Sequence, residues 1–207
     1  MLKRIRAHKK TVILGLLSLI LLISTVMLYA SNRTYRSYID YEMQVDFSNM
    51  IQWIDDNRRV YEEILQTRTL DENQRISIIA THQKLAELWE KYKRTAVHFK
   101  REQQEYPYGI ISITALKITS FAGEEKIGPL NDKDLGVIES FAGLNALWQK
   151  AFDIPDRFDS TQKGVYRFED SLWVERIQQA EAATESFLKE RNLESLDGLW
   201  LERTEIK

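Results

Sequence analysis

Cysteine is absent from this chain of 207 residues, and glycine and proline are scarce, with eight and three residues. Without cysteine the chain has no disulfide bond, no thiol nucleophile and no lipid-modified N-terminal cysteine. So few glycines and prolines leave few places for tight turns, which favours long helices over a many-stranded sandwich. The composition therefore predicts a chain that folds by packing alone and mainly as helices.

Histidine is also scarce, with three residues, and no common catalytic motif is present. His82 and His98 are sixteen residues apart, about 24 Å along a helix, which is too far for both to bind one metal ion. Neither histidine has a glutamate three positions before it, so the di-iron pattern of helical bundles is missing. The chain contains no Gly-x-Ser-x-Gly and no glycine-rich phosphate loop. We therefore predict no metal site, no cofactor and no enzymatic activity.

Carboxylates are plentiful and include adjacent pairs such as Asp55–Asp56 and Glu62–Glu63. An envelope hydrolase could in principle use two of them as acid and base. Adjacent residues on a helix point about 100° apart, however, so such pairs do not converge on one cleft. A hydrolase is therefore the least favoured of the functions considered.

Residues 11–30 form an uncharged apolar run of twenty residues, which as a helix reaches about 30 Å and matches the hydrocarbon thickness of a bilayer. Five Lys and Arg residues and no acid lie in residues 1–10, which predicts a cytoplasmic N-terminus and an extracytoplasmic region of residues 31–207. A cleaved signal peptide is the alternative. The length of the run and the large Leu28 in the best cleavage candidate favour an uncleaved single-pass anchor in the cell membrane.

The region after the anchor is acidic. Removing the five basic residues of the N-terminus from the 29 leaves 24 Lys and Arg against 31 Asp and Glu, a net charge of about −7. This excess of acid argues against a protein that binds nucleic acid or anionic lipid.

Helical spacing of apolar residues and local start and stop signals predict the elements of residues 31–207. We expect a first helix continuing from the anchor over residues 31–67, and a second helix over residues 71–105 that starts at an Asp71–Gln74 capping box and is stopped by Pro107. Residues 110–121 are ambiguous: their isoleucines and threonines suit a strand, but neither a strand period nor a helical period separates their polar from their apolar positions, and we interpret them as a short accessory helix. A surface loop over residues 122–129 is expected to lead to a third helix from Asn131 or Asp132 to residue 152, a fourth helix from after Gly164 to a left-handed stop at Asn192, and an apolar tail docked on the bundle. The predicted fold is all-α: a single transmembrane helix followed by an up-down four-helix bundle.

Tryptophans occur once in each of the four predicted helices, at Trp53, Trp89, Trp148 and Trp173. The simplest interpretation makes them core anchors, because large aromatic side chains supply much of the packing area of a small domain. The alternative is that Trp89, Trp148 and Trp173 line a ligand pocket. His82 lies in the apolar stripe of the second helix, so it is either a core histidine or a pH-sensitive element.

These features favour a non-enzymatic interaction or scaffold protein of the cell envelope, with a protein partner in the envelope or membrane and the bilayer bound through residues 11–30. Self-association through a coiled coil and a ligand-binding sensor with a tryptophan-lined pocket are alternatives. In outline, an anchor followed by a helical bundle resembles the input module of some bacterial membrane receptors. Such receptors have a second span and a cytoplasmic output domain, and the ten residues expected in the cytoplasm are too few for a signalling domain. Any signal is therefore expected to pass through a partner in or beside the membrane.

Overall fold

The computed structural model describes residues 2–99, 109–124, 127–152 and 166–201. This part of the chain is helical apart from one pair of two-residue strands. The elements are α1 (Leu2–Thr67), β1 (Thr69–Leu70), α2 (Glu72–His98), α3 (Ile110–Glu124), β2 (Gly128–Pro129), α4 (Asp132–Ala151), α5 (Leu172–Glu190) and α6 (Gly198–Leu201). The chain divides into two compact units, Met1–Met43 and Gln44–Lys207. The all-helical class predicted from the sequence is confirmed.

The first unit consists of the N-terminal part of α1. From Gly15 to Tyr38 every side chain is exposed, including Leu21, Leu22 and Leu28. This stretch belongs to a helix that is long and apolar enough to cross a membrane, a criterion that a signal sequence also satisfies. The predicted helix over residues 31–67 is confirmed, since α1 runs without interruption to Thr67.

In the second unit, the C-terminal part of α1 packs antiparallel to α2. Asp46 accepts a hydrogen bond from Tyr92 at 2.8 Å, and further along α1 Asn57 accepts one from Thr81 at 2.6 Å. The connection between the end of α1 at Thr67 and the start of α2 at Glu72 is short. It begins with Arg68, whose left-handed conformation, φ 56°, turns the chain immediately after α1. This geometry confirms that a short loop joins two antiparallel neighbours.

The start of α2 follows the local sequence signal. Asp71 accepts a hydrogen bond from the backbone N–H of Gln74 at 2.8 Å, and the Gln74 side chain accepts one from the Asp71 N–H at 2.9 Å. The predicted capping box is thus confirmed. The helix ends at His98, earlier than predicted; the expected end at Glu105 and the stop at Pro107 lie outside the described residues.

The surface loop predicted for residues 122–129 is wrong at both ends. Helix α3 continues to Glu124, and Gly128–Pro129 pairs antiparallel with Thr69–Leu70. Leu130 extends this contact by donating its N–H to the Arg68 carbonyl at 2.9 Å. Gly128 has φ 128°, a backbone conformation that L residues with side chains rarely adopt, which explains the glycine at this position.

Residues 110–121 were predicted to form a helix, and α3 confirms it. The expected accessory role is wrong, because α3 packs against α2 and α5 and contributes Ile111, Ala115 and Ile118 to the core. In the described part of the second unit the bundle is therefore built from the C-terminal part of α1 together with α2, α3, α4 and α5, so α3 is a full member.

Helices α4 and α5 also run antiparallel. Trp148 donates to Thr184 at 2.9 Å, and Arg176 donates to the carbonyl of Ala151 at 3.1 Å, so the end of α4 lies beside the start of α5. Asn131 caps α4 by accepting from the Asp134 N–H at 2.9 Å, as predicted. The start of α5 at Leu172 is later than the sequence suggested.

The C-terminal segment confirms two predictions. Asn192 has φ 53°, the left-handed stop expected after the last long helix. The tail docks on the bundle through Leu196 and Trp200, and the Trp200 ring lies 5.3 Å from Phe121 and 6.0 Å from Phe141.

Candidate functional site

The tryptophans considered as pocket residues lie in the packed core. Trp89 and Trp148 are neighbours, with ring centroids 5.0 Å apart, while Trp173 lies 6.0 Å from Tyr92. All three side chains are at most 2% exposed. The structure therefore places them as the core interpretation requires, and a pocket formed by them stays a prediction.

A continuous row of aromatic contacts connects these residues through the second unit. Each ring centroid lies 4.9–6.3 Å from the next, which is the usual range for aromatic pairs in protein cores. The row runs Tyr61, His82, Trp148, Trp89, Phe152, Phe47, Tyr92, Trp173. Its function is structural, because it joins residues of α1, α2, α4 and α5 into one core.

An open groove of about 440 Å³ lies between the start of α3 and the end of α5. Its lining includes the apolar side chains of Ile110, Leu188 and Leu193 and the charged residues Glu185 and Lys189. None of the tryptophans lines it. The groove lacks the aromatic floor and the convergent polar groups that small-molecule sites usually have.

His82 is fully buried and both ring nitrogens are engaged. Nδ1 lies 2.9 Å from the Ile78 carbonyl, which can only accept, so Nδ1 carries the proton. Nε2 lies 3.1 Å from the Tyr61 hydroxyl and accepts its hydrogen. Burial lowers the pKa of His82 to about 4, although the hydrogen bond to Ile78 opposes the shift. His82 is therefore neutral at physiological pH.

Three further polar residues lie in the same part of the core. Thr81 donates to Asn57 at 2.6 Å, and Asn145 donates to the Ile54 carbonyl at 2.9 Å. None of the three residues was predicted from the sequence to be important. The sequence does contain a sign of their burial, because each occupies a position of the helical pattern that faces the core. Asn57, for example, lies between the buried residues Ile54 and Tyr61. Such buried hydrogen bonds fix the alignment of neighbouring helices.

The carboxylates give no catalytic arrangement in the part of the chain that is described. Asp55 is buried, but its oxygens lie 3.0 Å from Arg58 and 2.6 Å from Arg59. Burial raises the pKa of neighbouring Asp56, while Arg59 acts in the opposite direction. No group of three or more metal-binding side chains occurs among the described residues.

The most distinctive exposed feature of the first unit is a face of α1 directly after the apolar run. Tyr35, Tyr38 and Tyr41 are 66%, 62% and 67% exposed. At about 100° per residue these tyrosines span an arc of about 120°. Two smaller exposed hydroxyl residues share the same side, and we call the set the hydroxyl face: Ser31, Thr34, Tyr35, Tyr38 and Tyr41. Arg33, Arg36 and Asp40 lie on the opposite side of the helix.

The hydroxyl face was not among the features predicted from the sequence, which for α1 concerned a buried apolar stripe. The signal was present as tyrosines at a spacing of three residues. Comparison of the chain with protein-family models, with curated proteins and with solved structures gives no match. The arrangement of the residues is therefore the basis for assigning a function to this protein.

Proposed function

We propose that this protein is a membrane-anchored, non-enzymatic interaction protein of the cell envelope. Residues 11–30 form the anchor, the N-terminus lies in the cytoplasm and residues 31–207 lie outside. The hydroxyl face is the site of interaction. The tightly packed tryptophans give no support to the alternative of a ligand sensor, and the paired Asp55 gives none to a hydrolase.

The observation that carries this proposal is the exposure of Tyr35, Tyr38 and Tyr41 on one side of α1. Tyrosine is enriched in protein interfaces because its rigid ring buries a large area while its hydroxyl keeps a hydrogen-bond partner. Isolated exposed aromatics are ordinary, whereas a contiguous group on one face marks a contact surface.

The bilayer explains only part of this group. Counted at 1.5 Å per residue from residue 30, Tyr35 lies about 7 Å beyond the hydrocarbon core, Tyr38 about 12 Å and Tyr41 about 16 Å. The interfacial layer on one side is about 5–8 Å thick. Tyr29 and Tyr35 thus fit an aromatic belt at the membrane surface, whereas Tyr38 and Tyr41 lie beyond it. A protein partner accounts for the outer two tyrosines.

In-cell crosslinking of the full-length protein at native expression tests the proposal. A C-terminal tag allows purification of the chain with whatever is attached, and wild type is compared with Tyr38→Ala plus Tyr41→Ala. We expect the double variant to lose the crosslinked species without a change in expression. The matched control, Asn32→Ala plus Arg36→Ala on the opposite side of the same helix, keeps it. Retention of the crosslinked species in the tyrosine variant would refute the proposal.

The proposed topology has its own test. Because the chain lacks cysteine, a single introduced cysteine is a clean reporter. A membrane-impermeant maleimide should label the exposed position Gln178→Cys in intact cells and His8→Cys only after permeabilisation. Labelling of His8→Cys in intact cells, and of Gln178→Cys only after permeabilisation, would show the opposite orientation. Release of the labelled Gln178→Cys chain into the medium would instead indicate a cleaved signal.

A further inference from the structure

We propose that the hydroxyl face binds the same face of a second copy of this chain, so that two α1 helices pair in parallel. The inference rests on the proposed function. Because each copy is held by the same anchor segment, both copies have the same orientation and corresponding residues lie at the same distance from the bilayer. Ser31 in one copy then lies beside Ser31 in the other, and the same holds for Thr34, Tyr38 and Tyr41.

The charge distribution argues for a second copy as the occupant. In a two-fold symmetric contact each residue near the axis meets the same residue of the other copy, so two like charges would repel each other there. The hydroxyl face contains no Lys, Arg, Asp or Glu, whereas the other side of the same segment carries Arg33, Arg36 and Asp40. The region after the anchor has a net charge of about −7, so an uncharged face is where two copies approach with least repulsion.

The spacing on the face suits a parallel helix pair. Ser31, Thr34, Tyr38 and Tyr41 alternate steps of three and four residues, the pattern that forms the seam between two supercoiled helices. The same alternation continues toward the N-terminus through Ser24 and Met27. Ser24 lies within the anchor, where a small side chain allows two helix backbones to approach closely in lipid. Ser31 and Thr34 continue this narrow seam just beyond the anchor, and the larger tyrosines follow.

The hydroxyl groups do not oppose this contact. Thr34 donates its hydroxyl hydrogen to the carbonyl of Ala30 at 3.1 Å, so its donor is satisfied within its own helix. A helix contact can therefore cover Thr34 without leaving an unpaired donor. The tyrosine hydroxyls reach the edge of the pair, where water remains available.

Disulfide crosslinking over four consecutive positions tests the inference in the full-length protein in native membranes. The variants are Ser31→Cys, Asn32→Cys, Arg33→Cys and Thr34→Cys, each the single cysteine of its chain. A disulfide needs two Cα atoms within about 7 Å, which a parallel pair provides only along its seam. Under brief mild oxidation we expect positions 31 and 34 to form covalent dimers at least about tenfold faster than positions 32 and 33.

Equal crosslinking at all four positions would indicate random collision and would overturn the inference, as would the absence of dimers at positions 31 and 34. Adding Tyr38→Ala to Thr34→Cys should reduce the dimer to the level of Asn32→Cys, whereas Arg36→Ala in the same background should leave it unchanged. Both substitutions are at exposed positions, so the fold is expected to persist.

A photoreactive phenylalanine analogue in place of Tyr41 separates failure of this inference from failure of the proposed function. An adduct with the mass of two copies supports the pair. An adduct with a different protein, together with no preference for positions 31 and 34, overturns the pair and leaves the interaction function standing. No adduct, together with unchanged crosslinking of the Tyr38→Ala plus Tyr41→Ala variant, overturns both.

Discussion

The tyrosines of the first unit and the core tryptophans of the second unit lie in opposite environments. The first unit contains four aromatic residues, all tyrosines, and Tyr29, Tyr35, Tyr38 and Tyr41 are between 62% and 72% exposed. In the second unit Trp89, Trp148 and Trp173 are at most 2% exposed. A tryptophan in a dry core stabilises the fold through its area, whereas a tyrosine on an exposed face is available to a partner.

The difference separates stability from recognition along the chain. Substitutions in the aromatic row are expected to change the free energy of unfolding, and substitutions on the hydroxyl face to change association. This division is wrong if a substitution in the aromatic row changes association alone, or if a substitution on the hydroxyl face changes the free energy of unfolding as much as one in the core.

The largest expected effect on stability is that of Trp148→Ala. Trp148 is fully buried, contacts Trp89 and donates to Thr184. Removing an indole from such a site leaves a cavity and lowers the free energy of unfolding by about 3–5 kcal/mol. Chemical denaturation of the full-length protein in detergent, followed by the fluorescence of the remaining tryptophans, measures the change.

Tyr38→Ala is the matched control for that experiment. It also removes an aromatic side chain from a helix, but from an exposed position, so the free energy of unfolding should change by no more than about 0.5 kcal/mol. A loss comparable to that of Trp148→Ala would mean that Tyr38 belongs to a packed core.

The next largest effect depends on pH. The unfolded chain protonates His82 near pH 6.5, whereas burial lowers its pKa in the folded chain to about 4. Between these values the unfolded state holds more protons, so the free energy of unfolding falls as the pH is lowered. Between pH 7 and pH 5 His82 should account for a loss of about 2 kcal/mol, which complete denaturation curves at the two pH values measure.

Carboxylates titrate over part of the same range, so the comparison must be with His82→Gln. This variant is expected to be less stable than wild type at pH 7 because it disturbs the hydrogen bonds to Ile78 and Tyr61, but to lose less stability on acidification. His98→Gln, at an exposed position, should retain the wild-type pH dependence. An unchanged dependence in His82→Gln would show that the buried imidazole is not its source.

Local signals in the sequence predicted those parts of the fold that depend on neighbouring residues. The capping box at Asp71 and Gln74 is an interaction over three residues, and the left-handed stop at Asn192 is a property of one residue. Both were found from the sequence. The docking of the tail followed from the apolar character of Leu196 and Trp200.

Features that depend on distant residues were missed or misjudged. The strand pair joins Thr69 to Pro129, sixty positions away, and two-residue strands have no readable period. Helix α3 was predicted to be accessory because no period separates its polar from its apolar positions. In the structure its burial does not follow polarity either: Ser112 and Thr114 are buried, while Ile113 and Leu116 are exposed. The hydroxyl face was missed for a related reason: the spacing of its tyrosines is visible in the sequence, but it does not reveal whether a neighbouring helix covers them.

The smallest expected effect on stability comes from removing a single tyrosine hydroxyl, and this change can be made in both units. Tyr61→Phe removes the hydroxyl that donates to His82 Nε2 and leaves that nitrogen buried without its partner, which should lower the free energy of unfolding by about 1–2 kcal/mol. Tyr41→Phe removes the same atom from an exposed ring, and its cost should lie within about 0.5 kcal/mol of zero.

The two tyrosine variants also separate the contribution of the ring from that of the hydroxyl on the proposed interaction face. If the ring supplies the contact area, Tyr41→Phe retains the crosslinked species that Tyr38→Ala plus Tyr41→Ala loses. If Tyr41→Phe alone abolishes association, the contact depends on a hydrogen bond from the tyrosine hydroxyl. A loss of stability in Tyr41→Phe as large as that in Tyr61→Phe would instead contradict the division of the molecule into a stabilising aromatic core and an exposed face for recognition.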